Sequence, residues 1–251
     1  YAFAYQLQRP VEPFLIKNLS EGADAKTVAK TYGRLQSFFQ AAQTIGSPIV
    51  GALLDKIGAR YCSVIVFLAS AASYAILASS TTLSHLFFSK LAATLQAGFL
   101  VAQAGVAAAP ATAPPAVRAA ALGRLTTAYT IGATVGPTVG GYLGTTGDLY
   151  RGARLAGGVS LLSALLSLGL PKGTWVRKDS DKTGSGVWRS FDIARRPNVR
   201  RLLLVKVLGS VSSSMYGTTY PLVLSHALGL NAQPLGFFIS CLFYKSAAAD
   251  E

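Results

Sequence analysis

The sequence predicts an all-α membrane protein: a six-helix bundle, a long basic loop and the opening of a second bundle. Three observations predict it. Hydrophobic residues make up 51% of the chain and charged residues only 13%, with a mean hydropathy of +0.41. An ordinary soluble domain carries roughly a quarter charged residues. The apolar residues also fall in successive stretches of about 20, enough to cross a hydrocarbon core of about 30 Å at 1.5 Å per residue. The third observation is the stretch 123–144, which carries no charge after Arg124 and places glycines at 132, 136, 140 and 144. On a helix that spacing leaves a bare stripe for another helix to approach backbone to backbone. In water so many glycines weaken a helix; in lipid, close packing offsets the loss. Pro137, inside the stripe, bends the axis and frees a carbonyl.

Residues 1–16 read as the second half of a first helix, interrupted by Arg9, Pro10, Glu12 and Pro13, and residues 17–30 as a polar connection. Further helices are expected at about 32–54, 61–79, 85–109, 122–144 and 155–170, the last closed by Pro171. A seventh is expected at 199–225. An eighth opens near Gln233, with an apolar run that halts at Tyr244. The chain therefore divides into an N-terminal bundle (1–172), a basic central loop (173–198) and the start of a C-terminal bundle (199–251). It opens inside an apolar stretch without Met and ends on a run too short to span, so it reads as a fragment.

The net charge of +13 raises the possibility of nucleic acid, but the position of the charges argues against it. The 2–3, 4–5 and 6–7 loops with their flanks hold 13 of the Lys and Arg residues, Lys56, Arg60, Arg118 and Arg124 among them; the opposite side holds five. The positive-inside rule places the first set in the cytoplasm. The central loop, beside an anionic leaflet, is a candidate contact for lipid head groups. Asn18-Leu19-Ser20 forms a glycosylation sequon on the predicted outer side. Cys62 and Cys241 imply no disulfide framework. His85 and His226 lack metal-ligand spacing, and no nucleophile elbow or phosphate loop is present, so no enzyme, metal or cofactor is expected.

Gly33-x-x-x-Ser37 opens the second helix and Gly236-x-x-x-Ser240 the eighth, each after a polar connection. Such a recurrence suits a transporter of two six-helix halves. The 2–3 loop reads Gly51-Ala-Leu-Leu-Asp55-Lys56-Ile-Gly58-Ala59-Arg60. It resembles the loop signature of the major facilitator superfamily, with Ala59 in place of a usual cation. Gly123, Gly132, Gly136-Pro137 and Gly140-Gly141 are similar, at every defined glycine and proline, to the antiporter signature of the drug:proton branch of that superfamily. Arg118-Ala-Ala-Ala-Leu-Gly123-Arg-Leu and the stretch from Arg195 to Val207 resemble its organic cation transporter-like members over nearly the whole chain. Val117 stands where relatives carry an acidic residue. In the fourth helix Lys90 stands for a signature arginine, while Ala93 and Thr94 replace a Gln-Gly pair. The resemblance implies proton-coupled export of organic cations by alternating access. It gives the Asp55 loop a part in gating, and the glycine helix a conformational rather than a substrate-contacting role.

Ionisable residues inside a membrane are costly and usually face a cavity. Arg9 and Glu12, three apart, are expected to share a face and pair. Glu12 is the candidate proton or cation site, because a carboxylate in low dielectric takes up a proton readily. Lys90 and Lys206 are weighed against snorkelling to the nearer surface, the expectation favoured for both. Gln36, Gln40 and Gln43 share one face of the second helix, and Gln96 and Gln103 one face of the fourth. Amides facing water would suit a polar or cationic solute; interhelical hydrogen bonds explain them equally well. Two rival functions remain: a membrane scaffold that recruits partners through the 173–198 loop, and a proton-independent facilitator of lipids or neutral solutes.

Overall fold

A computed structural model describes residues 1–20, 23–107, 114–170 and 197–249. Among them every regular element is helical: α1 (Ala2–Gln6), α2 (Glu12–Leu19), α3 (Ala25–Ala78), α4 (Leu83–Ala92), a 3₁₀ turn (Ala93–Leu95), α5 (Gly98–Ala107), α6 (Pro115–Gly144), α7 (Arg151–Ser167), α8 (Pro197–Ala227) and α9 (Ala232–Ala249). The predicted all-α architecture is what the chain adopts.

The interruption expected near Pro10 separates α1 from α2. Tight turns fill the gap, with Arg9 N–H donating to Gln6 O at 3.3 Å and Val11 N–H to Gln8 O at 3.0 Å. Pro13 falls in the first turn of α2, where a missing N–H costs nothing. Asp24 then caps α3 by accepting from Thr27 N–H at 3.3 Å.

The second and third predicted helices run on as one element of 54 residues. Straight, it would be about 81 Å long, more than twice a hydrocarbon core. It is not straight. Gly58 has φ 78° and ψ 168°, a conformation essentially reserved for glycine. The chain doubles back there: the Cys62 thiol lies 3.7 Å from the Val50 carbonyl, whereas twelve residues of straight helix would separate them by about 18 Å. Val50, Cys62, Val66 and Val101 form one core beside this turn. A larger core joins Leu15 and Ile16 of α2, Tyr32, Leu35 and Tyr74 from both arms of α3, and Leu86 of α4. Ala153 and Ala156 of α7 complete it.

The fourth predicted helix, expected unbroken over 85–109, is interrupted. After α4 the chain tightens into the 3₁₀ turn and resumes at Gly98. The break leaves the Gln96 carbonyl without a helical partner, and two donors satisfy it: Tyr1 hydroxyl at 2.9 Å and Gln43 Nε2 at 3.1 Å. Gly46 makes the room, since a side chain there would overlap the Thr94 carbonyl. α6 begins at Pro115, earlier than predicted, so Arg118 lies on the helix. Most of the 173–198 loop lies outside the described residues. α9 continues past Tyr244 to Ala249.

The surface is apolar where lipid is expected. Leu165 and Leu166 of α7 are 64% and 70% exposed, and Leu202, Leu204 and Val205 of α8 are also exposed. Buried serines are satisfied within the bundle: Ser160 donates to Ala156 O at 2.8 Å, and Ser73 crosses from α3 to Ser89 O at 2.8 Å. Between α6 and α7, the backbone N–H of Tyr150, and after it the Arg154 guanidinium, hold the Asp148 carboxyl below the usual carboxylate range.

The glycines of α6 meet two different neighbours. Added Cβ atoms at Gly132 and Gly136 would come within 2.9 Å of the Phe3 nitrogen and oxygen, and one at Gly140 would overlap the Leu7 carbonyl. Around the helix, a Cβ on Gly141 would overlap the Ala232 carbonyl of α9, and one on Gly236 of α9 would overlap the Pro137 carbonyl. Gly140→Ala is therefore expected to destabilise the fold by about 1–3 kcal/mol through overpacking. Gly123→Ala, where a Cβ meets nothing within 4 Å, should leave stability unchanged or raised. Thermal unfolding of the two variants in detergent micelles checks this contrast.

Candidate functional site

The turn between α1 and α2 carries Glu12 inward. It is 4% exposed, and among the described carboxylates it alone is buried; Asp24 and Asp55 are exposed and Asp148 is partly so. Three helices supply its partners. Lys90 of α4 forms an ion pair with Oε1, and Gln36 of α3 donates through Nε2 to Oε2 at 2.7 Å. The Lys90 ammonium also lies 5.2 Å from the Phe39 ring centroid, within cation–π range. Nearby, Gln96 Nε2 donates to the Tyr74 hydroxyl at 2.7 Å. These groups surround a cavity of about 20 Å³, room for about one water and no organic solute. Gln8 Nε2, on its wall, is buried without a hydrogen-bond partner.

Beside this cavity runs a groove of about 620 Å³ between α3 and α8. That volume is in the range of small-molecule sites. Gly33, Gln36, Ser37 and Gln40 form the α3 wall. On α8 a polar row recurs every fourth residue, Lys206, Ser210, Ser214 and Thr218, with Leu203 and Val207 beside it. Four-residue spacing keeps such a row on one helix face. The row was readable as hydroxyls at period four within an apolar helix.

The structure redistributes the residues singled out from sequence. Arg9 and Glu12 do not pair: α1 ends at Gln6, so no helical register connects them, and Arg9 instead lies 5.9 Å from the Tyr5 ring centroid. Lys90, expected to snorkel, turns inward because a buried carboxylate awaits it. Lys206 lines the groove. The three glutamines of α3 part company: Gln36 holds Glu12, Gln40 faces the groove, and Gln43 supports the break after α4. Gln96 is buried within that break whereas Gln103 is exposed on α5, so the face expected to unite them is lost with the helical register. Tyr32 and Tyr74, buried beside this cluster, were not singled out from sequence; aromatic residues in an apolar run carry no distinguishing signal.

In the Asp55 loop, Gly58 makes the turn. Asp55 and Lys56 are exposed, and Asp55 forms no ion pair among the described residues. Gly51 faces open space. Arg60 stacks 5.8 Å from the Tyr61 ring centroid. In the glycine helix, Gly132, Gly136 and Gly140 meet α1, Gly141 and Pro137 meet α9, and Gly123 meets nothing. The two Gly-x-x-x-Ser copies also differ. Ser240 accepts a hydrogen bond from Thr138 of α6 at 2.6 Å, while Ser37 lines the groove.

A helical bundle with a polar interior, a broken fourth helix and a glycine-packed fifth defines a class. The sequence model of the Major Facilitator Superfamily matches residues 1–249, and the chain belongs to that superfamily of integral-membrane transporters. Within it, the chain is similar to solute carrier family 22 member 18 of Mus musculus, 29% identical over 247 residues, which cover 93% of this chain and 59% of the relative. The protein of the same name in Rattus norvegicus is 29% identical over 245 residues, 93% of this chain and 57% of the relative. Solute carrier family 67 member A1 of Homo sapiens is 28% identical over 249 residues, with 93% and 57% coverage. The chain thus spans a little over half the length of these curated relatives.

Removing one partner of a buried ion pair leaves an uncompensated charge, which typically costs about 3–5 kcal/mol. Lys90→Met is expected to destabilise the protein on that scale, and adding Glu12→Gln should recover most of the loss. Denaturant unfolding of the single and double variants measures the coupling; additive effects would mean the two charges do not support each other.

Proposed function

We propose that the full-length protein is a secondary transporter that exchanges organic cations for protons by alternating access. The observation that supports this best is Glu12, a buried carboxylate held by a lysine beside a solute-sized groove. A proton and a cationic solute compete for one negative charge, so occupancy by either disfavours the other. That exclusion is what antiport requires. Protonation also removes the charge that holds Lys90, giving the site two arrangements of its own side chains.

In this reading residues 1–172 form the first bundle, 173–198 the central loop and 199–251 the start of the second bundle. The 2–3, 4–5 and 6–7 loops lie in the cytoplasm, where the basic central loop also contacts anionic lipid. Arg9, Lys90, Gln36 and Gln96 stand as the polar complement of Glu12, with Gln36 and Gln40 nearest the solute and Gln43 and Gln103 apart from it. The glycines of α6 serve the motion, and the Asp55 loop limits it.

Full-length protein in sealed vesicles should expel an organic cation faster when an inward proton gradient is imposed. Glu12→Gln should reduce that gradient-driven component about tenfold or more, equivalent to about 1.4 kcal/mol. Equal flux with and without the gradient would point to a proton-independent facilitator of lipid or neutral solute. Partner capture by the 173–198 loop without any flux would point to a scaffold.

A further inference from the structure

We infer that the Gln36 side-chain amide is the relay between groove and carboxylate, and that it selects organic cations bearing an N–H donor over quaternary ones. The inference rests on the proposed proton role of Glu12 and specifies the solute that role serves. Its ground is position. Among the described residues Gln36 is the one that lines both the 20 Å³ cavity around Glu12 and the 620 Å³ groove between α3 and α8. It is partly exposed, while Glu12 behind it is buried.

A primary amide has a donor end and an acceptor end, and turning it exchanges them. A charged carboxylate only accepts hydrogen bonds, so Glu12 draws the Gln36 NH₂ group, as the 2.7 Å bond from Nε2 to Oε2 records. The Gln36 carbonyl is then the end left to serve the groove. A protonated carboxyl becomes a donor and is best matched by the carbonyl. The amide that turns to meet it shows NH₂ to the groove. The groove thus offers an acceptor when Glu12 is charged and a donor when Glu12 is protonated. A solute with an ammonium N–H matches the first state and is refused by the second. In the first state its N–H polarises the amide and strengthens the bond to Glu12, so solute binding disfavours the proton.

Other charges face the same carboxylate, and none bridges the two spaces. Lys90 pairs with it; Arg9 lies on the cavity wall; Tyr5, Tyr32 and Tyr74 surround it from α1 and α3. Lys206 faces the groove from α8. Coupling through these charges alone would act on any cation of the same size. Coupling through an amide acts only on one with an N–H to give, which makes the two mechanisms separable by chemistry.

The test uses a matched pair of probes, triethylammonium and tetraethylammonium, bound to purified full-length protein. Both stay charged from about pH 5 to pH 8: triethylammonium titrates well above that range, as amines do, and tetraethylammonium has no proton to lose. Triethylammonium affinity is expected to fall at least about tenfold on acidification, while tetraethylammonium affinity changes by less than about threefold. Gln36→Met, close in volume and without an amide, should flatten the triethylammonium profile, and a thermal unfolding midpoint in detergent matching that of the wild-type protein shows that the variant is folded. The same pH dependence for both probes in the wild-type protein would overturn the relay without needing any variant. So would failure of triethylammonium to bind at neutral pH, or an unchanged profile in Gln36→Met. Glu12→Gln separates the two levels: if it keeps the wild-type profile, the proton site lies elsewhere and the underlying reading fails. If Glu12→Gln flattens both profiles and Gln36→Met flattens neither, the proton site stands and the relay does not.

Discussion

Where α6 crosses α1, backbone lies on backbone, and the rest of the interior follows from that contact. Three glycines four residues apart leave no side chain between the helices, so Phe3 and Leu7 sit against the α6 main chain itself. In water such a helix would lose about 1 kcal/mol per glycine relative to alanine. Within a bundle the close approach returns dispersion contacts along the whole crossing. Its consequence for chemistry is indirect but firm. The short helix α1 is held in place by α6, and the turn after α1 is what carries Glu12 into reach of Lys90 and Gln36. A bulkier stripe would move that turn outward and leave the carboxylate in a different environment.

The same helix holds the second neighbour on another face, through Gly141, Pro137 and Thr138. The two contacts differ in kind. Toward α1 the stripe is three glycines long and meets the main chain at Phe3 and Leu7. Toward α9 the contact is reciprocal and more extensive: Gly141 and Gly144 against Ala232, Gly236 against Pro137, and a hydrogen bond from Thr138 to Ser240.

Much of this was legible in the sequence, and the limits have physical causes. The glycine stripe was read correctly as a packing face, because period four on a helix has only one spatial meaning. The break around Pro10 was equally plain. The interruption at Gln96 was not, since nothing in Ala93-Thr94-Leu95 disfavours a helix. What permits it lies elsewhere, in Gly46, which admits the Thr94 carbonyl, and in Gln43 and Tyr1, which satisfy the carbonyl of Gln96. Long-range compensation of that sort leaves no local trace. The Arg9–Glu12 pairing failed for the opposite reason: a local rule was applied across a break that the sequence itself announced. Lys90 was misjudged because snorkelling is the cheapest course for an isolated lysine, and only the fold shows that it is not isolated.

The polarity of the interior sets the final constraint. Among the described residues Arg9, Lys90 and Lys206 bring three positive charges toward the cavity and groove, against one carboxylate. On the proposed reading, a cationic solute entering this space meets a field that Glu12 is there to offset. From the position in which it pairs with Glu12, the Lys90 ammonium also lies 5.2 Å from the Phe39 ring centroid. Lys90 is therefore the resident counter-ion of the buried carboxylate. On the proposed reading, the lysine is what makes the exchange a competition.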